Sequence, residues 1–236
     1  MLRTPTWSLL WSVLRLVMAA AIVAAIVAQL VQSVSGAVAN GRDILTIVTN
    51  FFSFFTILSN TGAAVILAIA PVWYFSRGRA ETAEPRWLAF LLAAVTSYMV
   101  VTGIVYNTLL RGIALEPGAV VPWSNEILHL VGPLFLLADL FLGPLRRALP
   151  WRTVLGIVIF PLLWVAYTLL RAPFIVNPGT GDPYWYPYPF LNPNGPGGWG
   201  SVVVYVVVIA VAIIVVAWFV VWVGRRRGSQ RLVATE

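Results

Sequence analysis

The chain contains one histidine, His129, and no cysteine. These two facts narrow the chemistry at once. Disulfides, thiolate catalysis and cysteine-held metals are excluded. Haem held by two histidines of one chain is also excluded, and any metal site would rest on carboxylates; no cofactor or metal is expected. What remains is the imidazole and a stripe of hydroxyl and amide side chains, Thr49, Ser53, Thr56 and Asn60, at spacings of four, three and four. On an unbroken helix these share one face. A threonine hydroxyl is a weak nucleophile until a base takes its proton, and His129 is the only imidazole present to do so. Thr56 and His129 are therefore a candidate nucleophile–base pair. The same residues have a structural reading, because Ser and Thr are ordinary glue between membrane helices and a lone histidine is commonly a packing residue.

Other polar groups gather near these two. Glu126, three residues before His129, lies on a neighbouring position of the same helical face. It either orients the imidazole or is solvated at the mouth of the helix. Asp139 points elsewhere and reads as an interfacial residue. Tyr106 and Asn107 close one apolar segment, and Trp164, Tyr167 and Arg171 follow one another at spacings of three and four in a later one. They ring a shared cavity or anchor helix ends, the usual role of Trp, Tyr and Arg at an interface. Ser53, Asn60, Tyr106, Asn107 and Glu126 are the expected substrate-binding residues, with oxyanion donors sought among Ser53, Asn60 and Asn107.

The elements that must position these groups follow from composition. The chain has 236 residues, 60% hydrophobic and only 10% charged. Ordinary soluble domains carry charge on about a quarter of their residues, so the expected solvent is a bilayer. Six apolar segments run from about Leu9 to Val34, Leu45 to Phe75, Trp87 to Leu110, Trp123 to Leu142, Val154 to Leu170 and Trp199 to Val223. Each is near the ~20 residues that cross the hydrocarbon as a helix. The predicted fold is an all-α, polytopic integral membrane protein with about six transmembrane helices, one domain over residues 1–236. Ala37-Val38-Ala39 resembles a signal-peptidase site, but the apolar run before it is longer than a typical signal segment, and an uncleaved first helix is the expectation.

Every basic residue is arginine, and the formal charge is +7. Twelve arginines fall on one side of the predicted spans (Arg3, Arg15, Arg77, Arg79, Arg86, Arg146, Arg147, Arg152, Arg225, Arg226, Arg227 and Arg231) and three on the other (Arg42, Arg111 and Arg171). The rich side is read as cytoplasmic, with both termini inside. Topology and anionic headgroups thus account for the positive charge. Membrane lipids are the expected partners, nucleic acid is not, and no protein partner is indicated. The all-arginine usage suggests a GC-rich bacterial genome. A short polar tail, 224–236, is expected inside and irregular. The outer connection of about 172–198 is rich in Pro, Gly and aromatics. It reads either as a lid or binding loop or as an aromatic belt segment on the membrane surface.

Depth brings the two candidate residues together. Thr56 is six residues past Asn50, and His129 is six past Trp123, on segments that both run inward. At ~1.5 Å per residue both lie roughly 9 Å below their starting levels.

Three motifs in order, FFSFFTILSN, PWSNEILHLVGP and YPFLNP, resemble the androgen-induced protein family, whose members include the androgen-dependent TFPI-regulating protein. The matching parts are Phe54-Phe55-Thr56, Trp123 and Asn125 before His129 with Pro133 one turn later, and Tyr188 to Leu191. The resemblance covers roughly Leu45 to Val223. It implies an intramembrane threonine hydrolase of fatty-acid esters, with Thr56 as nucleophile and His129 as base. The alternative is a non-enzymatic protein that binds or moves a lipid or small apolar molecule, and a blander one is an accessory subunit. No dinucleotide, phosphate-loop or zinc-protease signature is present.

Overall fold

Apolar runs in hydrocarbon can satisfy their backbone groups only within themselves. The computed structural model, which describes residues 4–113 and 118–232, is helical through all six of the predicted segments. Six of its helical stretches are long and apolar enough to cross a membrane: Pro5–Ala39, Phe55–Ser76, Arg86–Leu110, Pro122–Leu142, Thr153–Phe174 and Gly198–Gly228. The all-α polytopic fold is therefore as expected.

The first span is α1 (Pro5–Ala39). The Thr4 hydroxyl caps it by accepting from the Trp7 N–H at 3.2 Å, and Pro5 occupies the first turn, where a missing N–H costs nothing. Gly41, at φ 61°, ends it in the left-handed region that glycine tolerates. The second segment departs from expectation. It is not one helix but two, α2 (Ile44–Phe51) and α3 (Phe55–Ser76), separated at residues 52–54. The predicted stripe is thereby divided: Thr49 belongs to α2, Ser53 to the break, and Thr56 and Asn60 to α3.

The third span is α4 (Arg86–Val105), extended by a wide turn at Tyr106–Leu110 in which the Arg111 N–H reaches back five residues to the Tyr106 carbonyl at 2.8 Å. The fourth consists of α5 (Pro122–Glu126), a second such turn (Ile127–Val131) and α6 (Gly132–Leu142). The last two are α7 (Thr153–Arg171) and α8 (Gly198–Leu232). α8 continues to Leu232, so the expected irregular tail is helical that far, and residues 233–236 lie outside the described residues.

α4 is the central helix, packed by α3, α6, α7 and α8, with Leu88, Leu92 and Met99 fully buried. One apolar core lies among α1, α3, α4 and α6 around Leu67 and Leu136. A second lies among α4, α7, α8 and the outer loop around Ile157, Leu191 and Val220. Val17, Val31, Leu155 and Val207 face outward, as lipid-facing residues do.

At the inner end, Asp139 is enclosed by the protein. It has no exposed surface and accepts from Arg15 at 2.8 and 3.1 Å, from Arg146 and from the Trp11 indole. Glu84, itself buried, stands 3.8 Å from Arg146. Burial pushes the Glu84 carboxyl above its ordinary range, against the pull of Arg146 and Arg15. Arg15 is thus a buried partner within α1 rather than a free charge on the inner side. The arginine asymmetry survives its removal from the count. Removing one member of such a network strands charges in a low-dielectric interior. Asp139→Asn is accordingly expected to cost about 3–5 kcal/mol, read as a large fall in unfolding midpoint in detergent; an unchanged midpoint would refute the stabilising role of the cluster.

Candidate active site

Thr56 lies in the first turn of α3, where backbone N–H groups have no partner inside the helix. Phe54, the residue preceding the helix, offers no side-chain cap. The missing acceptor comes from the outer loop. The Thr56 N–H donates to the Tyr188 hydroxyl at 3.2 Å, and the Thr56 Oγ1 shares a further hydrogen bond with the same oxygen at 3.2 Å. The break itself is held from α7. The Trp164 indole donates to the Ser53 carbonyl at 2.9 Å, Tyr167 meets the Ser53 hydroxyl at 3.1 Å, and Arg171 donates to the Asn50 side chain at 2.8 Å. The Trp164, Tyr167 and Arg171 series therefore fastens α7 to the α2–α3 break.

The turn that carries His129 has an equally local cause. Pro133 has no N–H to return to the His129 carbonyl four residues earlier. The Gly132 N–H bonds the Ile127 carbonyl instead, five residues back, which leaves the Leu128 carbonyl without its helical donor. Side chains fill both vacancies: Asn60 donates to the Leu128 carbonyl at 3.1 Å and Asn107 to the His129 carbonyl at 3.1 Å. Close approach is possible because residue 103 is glycine; a Cβ there would sit 3.0 Å from the Pro133 side chain. Such wide turns occur frequently at functional sites.

The His129 Nδ1 lies 3.0 Å from the Asn125 carbonyl. A carbonyl only accepts, so Nδ1 carries a proton; in the neutral ring Nε2 then keeps its lone pair, the form a general base requires. The ring stacks on Tyr106 with centroids 3.7 Å apart, and the Tyr106 hydroxyl accepts from the Asn125 amide at 2.6 Å. Glu126 does not orient the imidazole. It pairs with Arg111 at 2.9 Å, with both side chains about two-fifths exposed.

Thr56 and Tyr106 line a narrow apolar cavity of about 50 Å³, together with Thr102, Trp164, Tyr188 and Phe190. The other expected binding residues, Ser53, Asn60, Asn107 and Glu126, are not on its wall. Nor are the expected oxyanion donors available. Both amide hydrogens of Asn60 go to the Thr56 and Leu128 carbonyls, both of Asn107 go to the Gly103 and His129 carbonyls, and the Ser53 hydroxyl donates to Thr49. Among the described residues no hydrogen bond joins the Thr56 hydroxyl to the His129 ring. Two groups couple them. Asn60 holds the carbonyls of Thr56 and Leu128 within about 6 Å of each other, and Tyr106 faces the cavity while stacking on His129. Tyr188 was absent from the expected site. Its only sequence signal is the Tyr-Pro-Phe-Leu run, and docking of the loop is what brings it to Thr56.

Asn60 is fully buried and serves two backbones at once. Asn60→Ala leaves the Leu128 carbonyl unpaired in the interior, at an expected cost of about 1–3 kcal/mol. Thermal unfolding in detergent measures it, and a midpoint within error of wild type would show that the clamp is dispensable.

Comparison of the chain with protein-family models, with curated proteins and with solved structures finds no match in any of the three.

Proposed function

We propose that the protein is an intramembrane, threonine-dependent hydrolase of fatty-acid esters in the cell membrane. The observation that carries this reading is the buried Thr56 hydroxyl on the wall of a narrow apolar cavity. Its apolar lining suits hydrocarbon, and its place between apolar spans suits a substrate already dissolved in the membrane. Two further features support it. His129 Nδ1 bonds the Asn125 carbonyl, which in the neutral ring leaves Nε2 its lone pair, and Asn60 ties the backbone one residue earlier, at Leu128, to that of Thr56. The residues concerned are those on which the resemblance to the androgen-induced family rests.

In this reading the Thr56 Oγ1 attacks the acyl carbonyl carbon while its proton passes to His129 Nε2. The tetrahedral intermediate collapses by breaking the bond to the alcohol oxygen, which takes the proton back from His129. A water molecule, deprotonated by the same nitrogen, then attacks the acyl-threonine; the acyl–Oγ1 bond breaks, Oγ1 takes the proton back from His129, and the fatty acid leaves. In the free protein the Thr56 hydroxyl is engaged by Tyr188, and catalytic hydrogen bonds often tighten only when substrate is bound.

That engagement also favours a second reading, in which the cavity binds a lipid or small apolar molecule without bond-making. The two part experimentally. Purified protein in detergent is offered a panel of fatty-acid esters beside Thr56→Ala and His129→Ala, with unfolding midpoints measured in parallel. The hydrolase reading expects turnover that falls at least about 100-fold in both variants while the fold persists. Full activity in both would refute the assignment. Binding that survives Thr56→Ala, with no turnover by wild type, would establish the second reading.

A further inference from the structure

Tyr188 belongs to a loop on the outer side, yet it is one of the more buried aromatic residues of the chain, 8% exposed. Its ring is fixed from three directions. Phe190 stacks on it with centroids 5.1 Å apart, and Phe54 and Trp164 meet it edge-on at 5.6 and 5.9 Å. These contacts aim one polar atom, Oη, at the first turn of α3. There it accepts from the Thr56 N–H and lies 3.2 Å from the Thr56 Oγ1. An acceptor for the α3 amides need not have come from so far away, since a Ser or Asp at position 54 would cap the helix locally. Phe54 stands there instead, and the helix end is left to a phenol whose second contact is the candidate nucleophile.

A hydrolase needs donors where negative charge develops. The amides of Asn60 and Asn107 and the hydroxyl of Ser53 are committed to carbonyls. Tyr188 lines the cavity and touches Thr56 Oγ1. Given the hydrolase reading, on which this inference rests, we propose that Tyr188 is a catalytic residue: its hydroxyl holds the Thr56 side chain for attack and then donates to the carbonyl oxygen as that oxygen becomes an oxyanion. As the bond from Oγ1 to the acyl carbon forms, the carbonyl π pair moves onto oxygen and the Thr56 proton moves to His129. The new oxyanion takes the Tyr188 O–H, and the Thr56 N–H released from Oη becomes a second donor at the N-terminal end of α3. When the oxyanion re-forms the carbonyl, the bond to the alcohol breaks and both donors return to their resting contacts. Tyr188 keeps its own proton throughout. Burial, which pushes this phenol above its ordinary range, favours that form.

The test uses the full chain in detergent and a chromogenic probe, the p-nitrophenyl ester of a medium-chain fatty acid. Tyr188→Phe keeps the ring and its three aromatic contacts and removes only Oη. The expected result is an unfolding midpoint lowered by the unpaired Thr56 N–H with the protein still folded at the assay temperature, a KM within a few-fold and a kcat lowered about 100-fold. A ring-fluorinated tyrosine at position 188 keeps hydroxyl and packing while making the phenol more acidic. It should move the alkaline limb of the kcat profile to lower pH without a change in KM. A purely structural role would move neither kcat nor that limb. Unchanged kcat in Tyr188→Phe and an unmoved limb in the fluorinated protein, with Thr56→Ala inactive, would overturn the role of Tyr188 and leave the hydrolase standing. Absence of turnover by wild type on every ester would overturn the hydrolase, and this role with it.

Discussion

A backbone N–H or C=O in hydrocarbon has no water to turn to, and leaving one unpaired costs several kcal/mol. Two irregularities of the helical ladder bear on the candidate site, and both are in the outer half. At residues 52–54 the chain stops one helix and starts another. At Pro133 a missing N–H shifts the pairing by one residue. The side chains that repair these breaks come from elsewhere: Trp164 and Tyr188 at the first, Asn60 and Asn107 at the second. The polar chemistry of the outer half is therefore largely the repair of an irregular backbone. The candidate site stands where the two repairs meet, because Asn60 bonds both the Thr56 and the Leu128 carbonyls.

The inner end is organised differently. There the cost to be offset is charge rather than backbone. Arg15, Arg146, Asp139 and Glu84 are all buried, and two positive side chains face two acidic ones. These residues sit on α1, on α6 and on the connections between α3 and α4 and between α6 and α7, so the cluster joins elements far apart in the chain. Arg225 and Arg227 extend the attachment to α8 by donating to the carbonyls of Leu149, Leu140 and Gly143. None of the four buried charged residues lines the cavity. The cluster anchors one end of the bundle while the irregular helices shape the other.

Between these two ends lies the arrangement on which a function depends. The imidazole tautomer is set by one backbone carbonyl, that of Asn125, and not by a carboxylate. The threonine is held by a phenol from the loop between α7 and α8. Tyr106 separates the ring of His129 from the cavity it faces. A hydroxyl and a phenol thus face a slim apolar space, and the imidazole lies behind the Tyr106 ring.

Six spans, their helical nature and the arginine asymmetry were legible in the sequence, because hydropathy and loop charge are sums over neighbouring residues and need no tertiary context. His129 and Thr56 stood out for the same local reason, as scarce polar groups in apolar segments. The tertiary structure alone decided the rest. FFSFF contains neither Pro nor Gly, so nothing local announces the break between α2 and α3; it is stabilised by Trp164 and Tyr188, 111 and 132 residues away from the groups they bond. The ion pair of Asp139 was not legible because its partner Arg15 precedes it by 124 residues. Glu126 sat at the right spacing to orient His129, but Arg111 is closer to its carboxylate and carries the opposite charge. Asn60 and Asn107 were recognisable as amides within apolar segments, yet whether an amide faces a substrate or a carbonyl depends on which backbone groups the fold leaves unpaired.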